Sequence, residues 1–205
     1  MIIETLPVGN LEANCYIIGC QETRQAAVVD PGDEAERILE RLAKLGLKAA
    51  AIVLTHGHAD HIGAVGDMKK ATGAPVMIHT QDAEMLTNPA RNLSAWLGGQ
   101  LAFKAADRLL ETGDTIEAGT ITLEVIHTPG HTPGGLCLRA GKNLFTGDTL
   151  FAQSIGRSDF PGGSHTTLIN SIKSKLLVLP EDTKIYPGHG ATSTIGEEKR
   201  HNPFL

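Results

Sequence analysis

The feature that most constrains this chain is an apolar run that leads straight into a histidine cluster. Ala50-Ala51-Ile52-Val53-Leu54 is followed without a spacer by Thr55-His56-Gly57-His58-Ala59-Asp60-His61. A short run with no polar alternation suits a strand covered on both faces. Such strands belong to sheets with layers on either side, so an α/β fold is expected. Packing does not explain three histidines and an aspartate crowded on one loop. Imidazole and carboxylate groups at this spacing suit metal ligation. Ligands in α/β sheets also gather outside the carboxyl ends of strands.

Three later strand ends repeat the pattern. His131 lies just past an apolar run ending at Ile126, in His127-Thr128-Pro129-Gly130-His131-Thr132. Asp148 lies in Thr146-Gly147-Asp148-Thr149, and His189 in Tyr186-Pro187-Gly188-His189-Gly190. Glycines let the backbone turn at each place. If these ends meet at one edge of the core, His56, His58, Asp60, His61, His131, Asp148 and His189 converge. Seven such donors suit two ions better than one. Thiolates are not involved: Cys15, Cys20 and Cys137 lack the paired spacing of a structural zinc site or a disulfide framework. Two divalent metal ions are therefore expected, with Zn first and Fe or Mn as alternatives. A water shared between ions about 3.5–4 Å apart loses a proton near neutral pH. His79 and His127, also near strand ends, are candidates to orient these donors from behind. His165 and His201 read as ordinary polar residues, with a place on the rim of the site as the alternative for His165.

The rest of the chain supports this frame. Strands are expected over residues 1–7, 14–18, 26–30, 50–54, 76–79, 115–126, 135–138, 142–146 and 184–186. Helices are expected over residues 33–45, 62–72, 81–87, 166–177 and 194–201. Residues 88–106, which hold the sole tryptophan, Trp96, read as a mobile excursion over the surface. Strands and helices come round twice, which fits two sheets packed face to face with helices outside. With 205 residues and no linker or repeat, a single domain spanning residues 1–205 is expected.

Charge narrows the partners. A net charge of −5 without a basic run leaves no electrostatic footprint for nucleic acid or an anionic membrane. Aromatic residues at 4% argue against base-stacking platforms. No run of about 18 apolar residues occurs, so no membrane span is expected. The start, Met1-Ile2-Ile3-Glu4, lacks the pattern of a signal peptide. Sparse, unpaired cysteines point to a reducing, cytoplasmic location. The expected partner is a small molecule.

The HxHxDH motif at residues 56–61, followed in order by His131, Asp148 and His189, resembles the metallo-β-lactamase-fold hydrolases. The likeness runs from Asn14-Cys15-Tyr16 and Val29-Asp30-Pro31-Gly32 to His189. It implies an αββα sandwich of two mixed β-sheets flanked by helices. It also implies His56, His58 and His131 on one metal, Asp60, His61 and His189 on the other, and Asp148 bridging them. No ligand position departs from the pattern. Asp60 and Asp148 would be the catalytic carboxylates, with Asp60 also orienting the nucleophile.

Ile155-Gly156-Arg157-Ser158-Asp159-Phe160-Pro161-Gly162-Gly163 and the terminal His201-Asn202-Pro203-Phe204-Leu205 look most like the compact bacterial glyoxalase II-like (hydroxyacylglutathione hydrolase-like) branch. That branch implies a thioester hydrolase, acting on a glutathione thioester such as S-lactoylglutathione through a metal-bridging hydroxide. Arg157 would be the substrate-binding residue, with a surface salt bridge as its alternative role. The leaving thiolate needs little protonation, because a thiol has a pKa of about 8.5. Full-length glyoxalase II carries a helical C-terminal extension that supplies much of the glutathione pocket. Sixteen residues follow His189 here, so that extension is expected to be absent and the glutathione contacts fewer or different.

The alternative is a mononuclear iron persulfide dioxygenase acting on glutathione persulfide, a similar branch that shares GR[ST]DF. There His56, His131 and Asp148 would hold one Fe(II), leaving positions open for oxygen. Pro161-Gly162-Gly163 after Asp159-Phe160 favours the hydrolase. A lactonase or β-lactamase of the fold comes third. Lactonases often carry a tyrosine near the metals, whereas Tyr16 and Tyr186 fall in expected strands. A nuclease would need longer insertions and a basic surface. A noncatalytic binding module would be expected to lose ligands, and this set is complete.

Overall fold

Successive residues of the central strands are buried on opposite faces, which places these strands between layers. The computed structural model describes residues 1–205 apart from the Leu97 side chain. Strands β1 (Ile2–Val8), β2 (Ala13–Gly19), β3 (Gln25–Val29), β4 (Lys48–Val53), β5 (Val76–His79) and β6 (Arg108–Leu110) form one six-stranded sheet in that order. The pairs β1/β2 and β2/β3 are antiparallel, and the sheet is parallel from β3 to β6.

The second sheet is built from β7 (Thr115–Ala118), β8 (Ile121–His127), β9 (Leu136–Ala140), β10 (Asn143–Gly147), β13 (Lys184–Pro187) and β14 (Ser193–Thr194). Its order is β14-β13-β10-β9-β8-β7, and a short hairpin of β11 (Leu150–Phe151) and β12 (Ser154–Ile155) stands apart.

Ile18, Val29 and Val53 share a core with Leu123, Val125, Leu138 and Phe145 of the facing sheet. Their chain neighbours Ile17, Val28 and Ile52 pack instead with Ile38 and Leu42 of α1 (Ala35–Leu45) and Met68 of α3 (Val65–Thr72). On the far side Cys137, Leu144 and Ile185 pack with Leu168 of α4 (His165–Ser171) and Ile195 of α5 (Ile195–His201). The layers are therefore α, β, β, α, with both sheets mixed. Burial on both faces is why these strands read as unbroken apolar runs.

Four expectations change. The helix expected over residues 62–72 is two, α2 (Ala59–Ile62) and α3. The Ala64 N–H donates to Pro31 O at 3.0 Å, and Gly63 lies so close to Gly32 O that a Cβ would collide with it. Thr80–Leu86 winds as a tighter 3₁₀ helix. The strand expected over residues 115–126 is the hairpin β7/β8, turned at Gly119 in the left-handed region.

Residues 88–106 are tied down rather than loose. Asn92 is fully buried, its Nδ2 donates to Met85 O and Leu101 O at 2.8 Å each, and its carbonyl accepts from Ala59 N–H. A polar side chain does there what an apolar anchor usually does, so hydrophobicity alone hides it.

Candidate metal centre

The sheet directions decide where the polar loops open. β8 and β10 are both antiparallel to β9, so they run the same way, and β13 is parallel to β10. The loops after β8, β10 and β13 therefore emerge at one edge, carrying His131, Asp148 and His189. Across from them the loop after β4 carries His56 and His58, and α2 carries Asp60 and His61.

The seven side chains meet as two triads. His58 Nδ1 is 2.9 Å from His131 Nε2, which is 3.3 Å from His56 Nε2. His61 Nε2 lies 3.3 Å from His189 Nε2, and Asp60 Oδ2 lies 3.2 Å from the same atom. Ligand atoms within each triad fall within 4.8 Å of one another. Asp148 stands between the triads. Its Oδ1 is 3.4 Å from His61 Nε2, and its Oδ2 is 3.6 Å from His131 Nε2 and 3.8 Å from His189 Nε2.

These residues fit bound cations. Asp148 Oδ1 is buried with no hydrogen-bond donor, an arrangement that is costly unless a positive charge satisfies it. Burial pushes His58 down to about 3, aided by His131 and His61. Burial and the surrounding imidazoles hold His56 well below the ordinary range. Both stay neutral, with lone pairs available. In the other triad burial alone would lower His61, but Asp148, Asp60 and Asp30 outweigh it and raise the ring to about 10. Burial opposes His189 as well, and Asp60 and Asp148 raise it. Asp60, which burial would push up, is held below the usual carboxylate range by His61 and His189. Metal ions displace such protons on binding.

Several positioning groups escaped the sequence reading. Asp30 is buried in the left-handed region at φ 50°. It accepts from Thr55 N–H at 2.7 Å and Thr55 Oγ1 at 2.6 Å, and its Oδ2 lies 3.0 Å from His61 Nδ1. Nδ1 thereby donates backwards and Nε2 faces the centre, the usual second partner of a ligating histidine. His131 Nδ1 does the same to Arg157 O at 2.7 Å, and His189 Nδ1 to Leu11 O at 3.0 Å. Asp82, fully buried, accepts from Thr132 Oγ1 at 2.7 Å and Gly134 N–H at 2.6 Å, pinning the His131 loop. The His189 loop is held by Tyr16 Oη and Asn14 Nδ2, both donating to Pro187 O. Gly188 is required there, because a Cβ would run into Asp148 Oδ1. Asp30 showed itself in the sequence as the polar end of a strand and within Val29-Asp30-Pro31-Gly32, without a role, and Asp82 gave no signal.

Other expected residues fall elsewhere. The Arg157 guanidinium is bidentate to Asp159 at 2.9 and 2.8 Å and lies 4.1 Å above the Phe160 ring. Its side chain lines the mouth of the site, while its carbonyl positions His131. His79 and His127 stack on each other with ring centroids 3.9 Å apart. Their ring nitrogens bond Gln81 N–H and Pro133 O, so they do not hold the seven residues directly. His165 opens α4 away from the cavity lining.

Above the triads opens a cavity of about 530 Å³. Two sheets, a two-triad centre at their edge and a cavity over it define a class of metal-dependent enzymes. The sequence matches the Metallo-beta-lactamase superfamily model over residues 8–189, and the chain belongs to that superfamily. It is 41% identical over 209 residues to the hydroxyacylglutathione hydrolase GloC of Haemophilus influenzae, covering 100% of this chain and 98% of that one. The crystal structure of the BLEG-1 B3 metallo-beta-lactamase superposes with a TM-score of 0.95 at 43% identity, over 100% of this chain and 99% of that one. TTHA1623, solved in a di-iron-bound form, superposes with a TM-score of 0.85 at 38% identity, over 100% of each chain. At this level the protein is a metal-dependent hydrolase.

Proposed function

We propose that the protein hydrolyses a thioester, most specifically a glutathione thioester such as S-lactoylglutathione, with two divalent ions held by the two triads. The observation that carries this reading is Asp148, whose carboxylate reaches both triads: Oδ1 is 3.4 Å from His61 Nε2, and Oδ2 is 3.6 Å from His131 Nε2 and 3.8 Å from His189 Nε2. Similarity to GloC supports the substrate class, and the di-iron form of TTHA1623 supports two ions. Zn is the proposed metal, with Fe or Mn as alternatives for the same donors. When bound, the ions would supply a Lewis acid and an acidified water.

The chain's own groups do the rest. His56, His58 and His131 would hold one ion, Asp60, His61 and His189 the other, and Asp148 both. Nδ1–H donation from His61, His131 and His189 keeps each Nε2 turned inward. Asp60, which lines the cavity, would accept a hydrogen bond from the attacking water and orient it. The departing thiolate needs no dedicated acid, given a thiol pKa of about 8.5. No helix is long and apolar enough to cross a membrane, and the three cysteines are free. We place the reaction in the cytoplasm on that basis.

The test is an assay of metal-quantified protein with S-lactoylglutathione, beside oxygen uptake with glutathione persulfide. Thioester cleavage with about two ions per chain, lost in His58→Ala, supports the proposal. Oxygen uptake with a single iron per chain replaces it with the dioxygenase reading on His56, His131 and Asp148.

A further inference from the structure

The walls over the two triads are hydrocarbon. Phe160 stands edge-on to His58 with centroids 5.5 Å apart, and Trp96 edge-on to Phe160 at 6.4 Å. On the opposite side Phe151 stands edge-on to His189 at 6.3 Å. Leu11 and Trp96 line the same cavity, yet remain 55% and 63% exposed. Large apolar groups left facing solvent at a cavity mouth mark a surface meant to be covered by a ligand. Trp96 is not free to drift away. It sits on the 3₁₀ turn Ser94–Leu97, and the adjacent Asn92 bonds α2 through Ala59 N–H.

Charge is the second observation. Outside the seven proposed ligands, Arg157 is the one charged side chain among the described residues lining the cavity. Its guanidinium is already bidentate to Asp159. The carboxylates of a glutathione carrier therefore find no free cation at the walls, whereas an apolar group beside the scissile bond finds aromatic faces.

We infer that this protein selects its substrate through the acyl group: a thioester with a bulky apolar acyl side chain, aryl or branched alkyl, lying against Trp96 and Phe160. The charged ends of the thiol carrier stay in solvent. The inference rests on the thioesterase reading and leaves its chemistry unchanged. Water adds across the C–S bond, giving a carboxylic acid and a thiol.

A matched pair tests it, S-mandeloylglutathione against S-lactoylglutathione, which differ by phenyl for methyl. After division by the ratio of uncatalysed hydrolysis rates, kcat/KM should favour the mandeloyl ester by roughly ten- to a hundredfold. Trp96→Ala and Phe160→Ala should each collapse most of that preference. Trp96 is exposed, so its variant is expected to fold. A wild-type ratio at or below unity, or one unchanged in both variants, overturns the inference.

If neither ester turns over, the thioesterase reading fails and a binding measurement still decides. Trp96 is the sole tryptophan, so its fluorescence reports this wall directly. Quenching of the metal-loaded protein by mandelate at concentrations about tenfold below those needed for lactate supports an apolar acyl subsite. Equal quenching removes it.

Discussion

The two triads differ in what surrounds them. His56, His58 and His131 are 1%, 5% and 4% exposed, and their rings crowd one another. Asp60 and His189 have side chains 22% and 29% exposed, and carboxylates crowd that triad: Asp60 itself, Asp148, and Asp30 behind His61. Burial leaves His56 and His58 as neutral lone pairs that need no deprotonation. In the second, negative charge attracts a cation but also retains protons on His61 and His189. One residue type thus serves in two electrostatic states within a few ångströms, set by neighbours rather than by chain position. Asp148 stands between the two triads.

The largest expected effect therefore comes from Asp148→Ala. Hydrolase activity should fall by more than the roughly 10–100-fold that loss of an outer partner costs. Metal analysis should also show less than the full complement. Full metal loading and retained activity would mean that the triads bind independently.

Asp30→Ala comes next and should be selective. It removes the acceptor of His61 Nδ1, so affinity at the open triad should drop about 10–100-fold while the buried triad holds its ion. Competition with a chromogenic chelator reads this directly. Equal weakening at both sites would show that Asp30 supports the whole edge, through Thr55, rather than one ring.

Asp82→Ala acts on stability. Thr132 Oγ1 and Gly134 N–H would lose a buried acceptor, at a cost of about 1–3 kcal/mol. Thermal unfolding of the metal-free protein should shift down by about 2–4 °C for each kcal/mol at this chain length. No shift would mean that water replaces the carboxylate. The smallest effect concerns the wild type under limiting chelator. Release should be biphasic, with the more exposed triad emptying first. A single phase would erase the distinction between the triads.

Much of this centre could be read before the fold was known, because its donors lie on short loops after apolar runs. Both features are local, one a burial pattern and the other turn chemistry. Asp30 was visible as the end of a strand and within Val29-Asp30-Pro31-Gly32, but not in its role, which depends on His61, 31 residues away. Asp82 serves a loop 50 residues further on and left no local trace. Residues 88–106 looked loose because Asn92, a polar residue, is their anchor. Arg157 read as a substrate-binding cation, with a surface salt bridge as the alternative, because a sequence shows charge and not pairing. Its partner Asp159 is two residues away, and the guanidinium is already engaged.

The sequence by itself picked out the seven proposed donors and the apolar strands that precede them, since residue type and spacing carry that information. The tertiary structure decided which donors share a triad, which ring nitrogen each histidine turns inward, and where protons rest without metal. It also decided that the walls above are aromatic. These depend on distances between loops up to 178 residues apart, as between Leu11 and His189. Sheet direction and close packing set such distances, and neither is written in any single stretch of the chain.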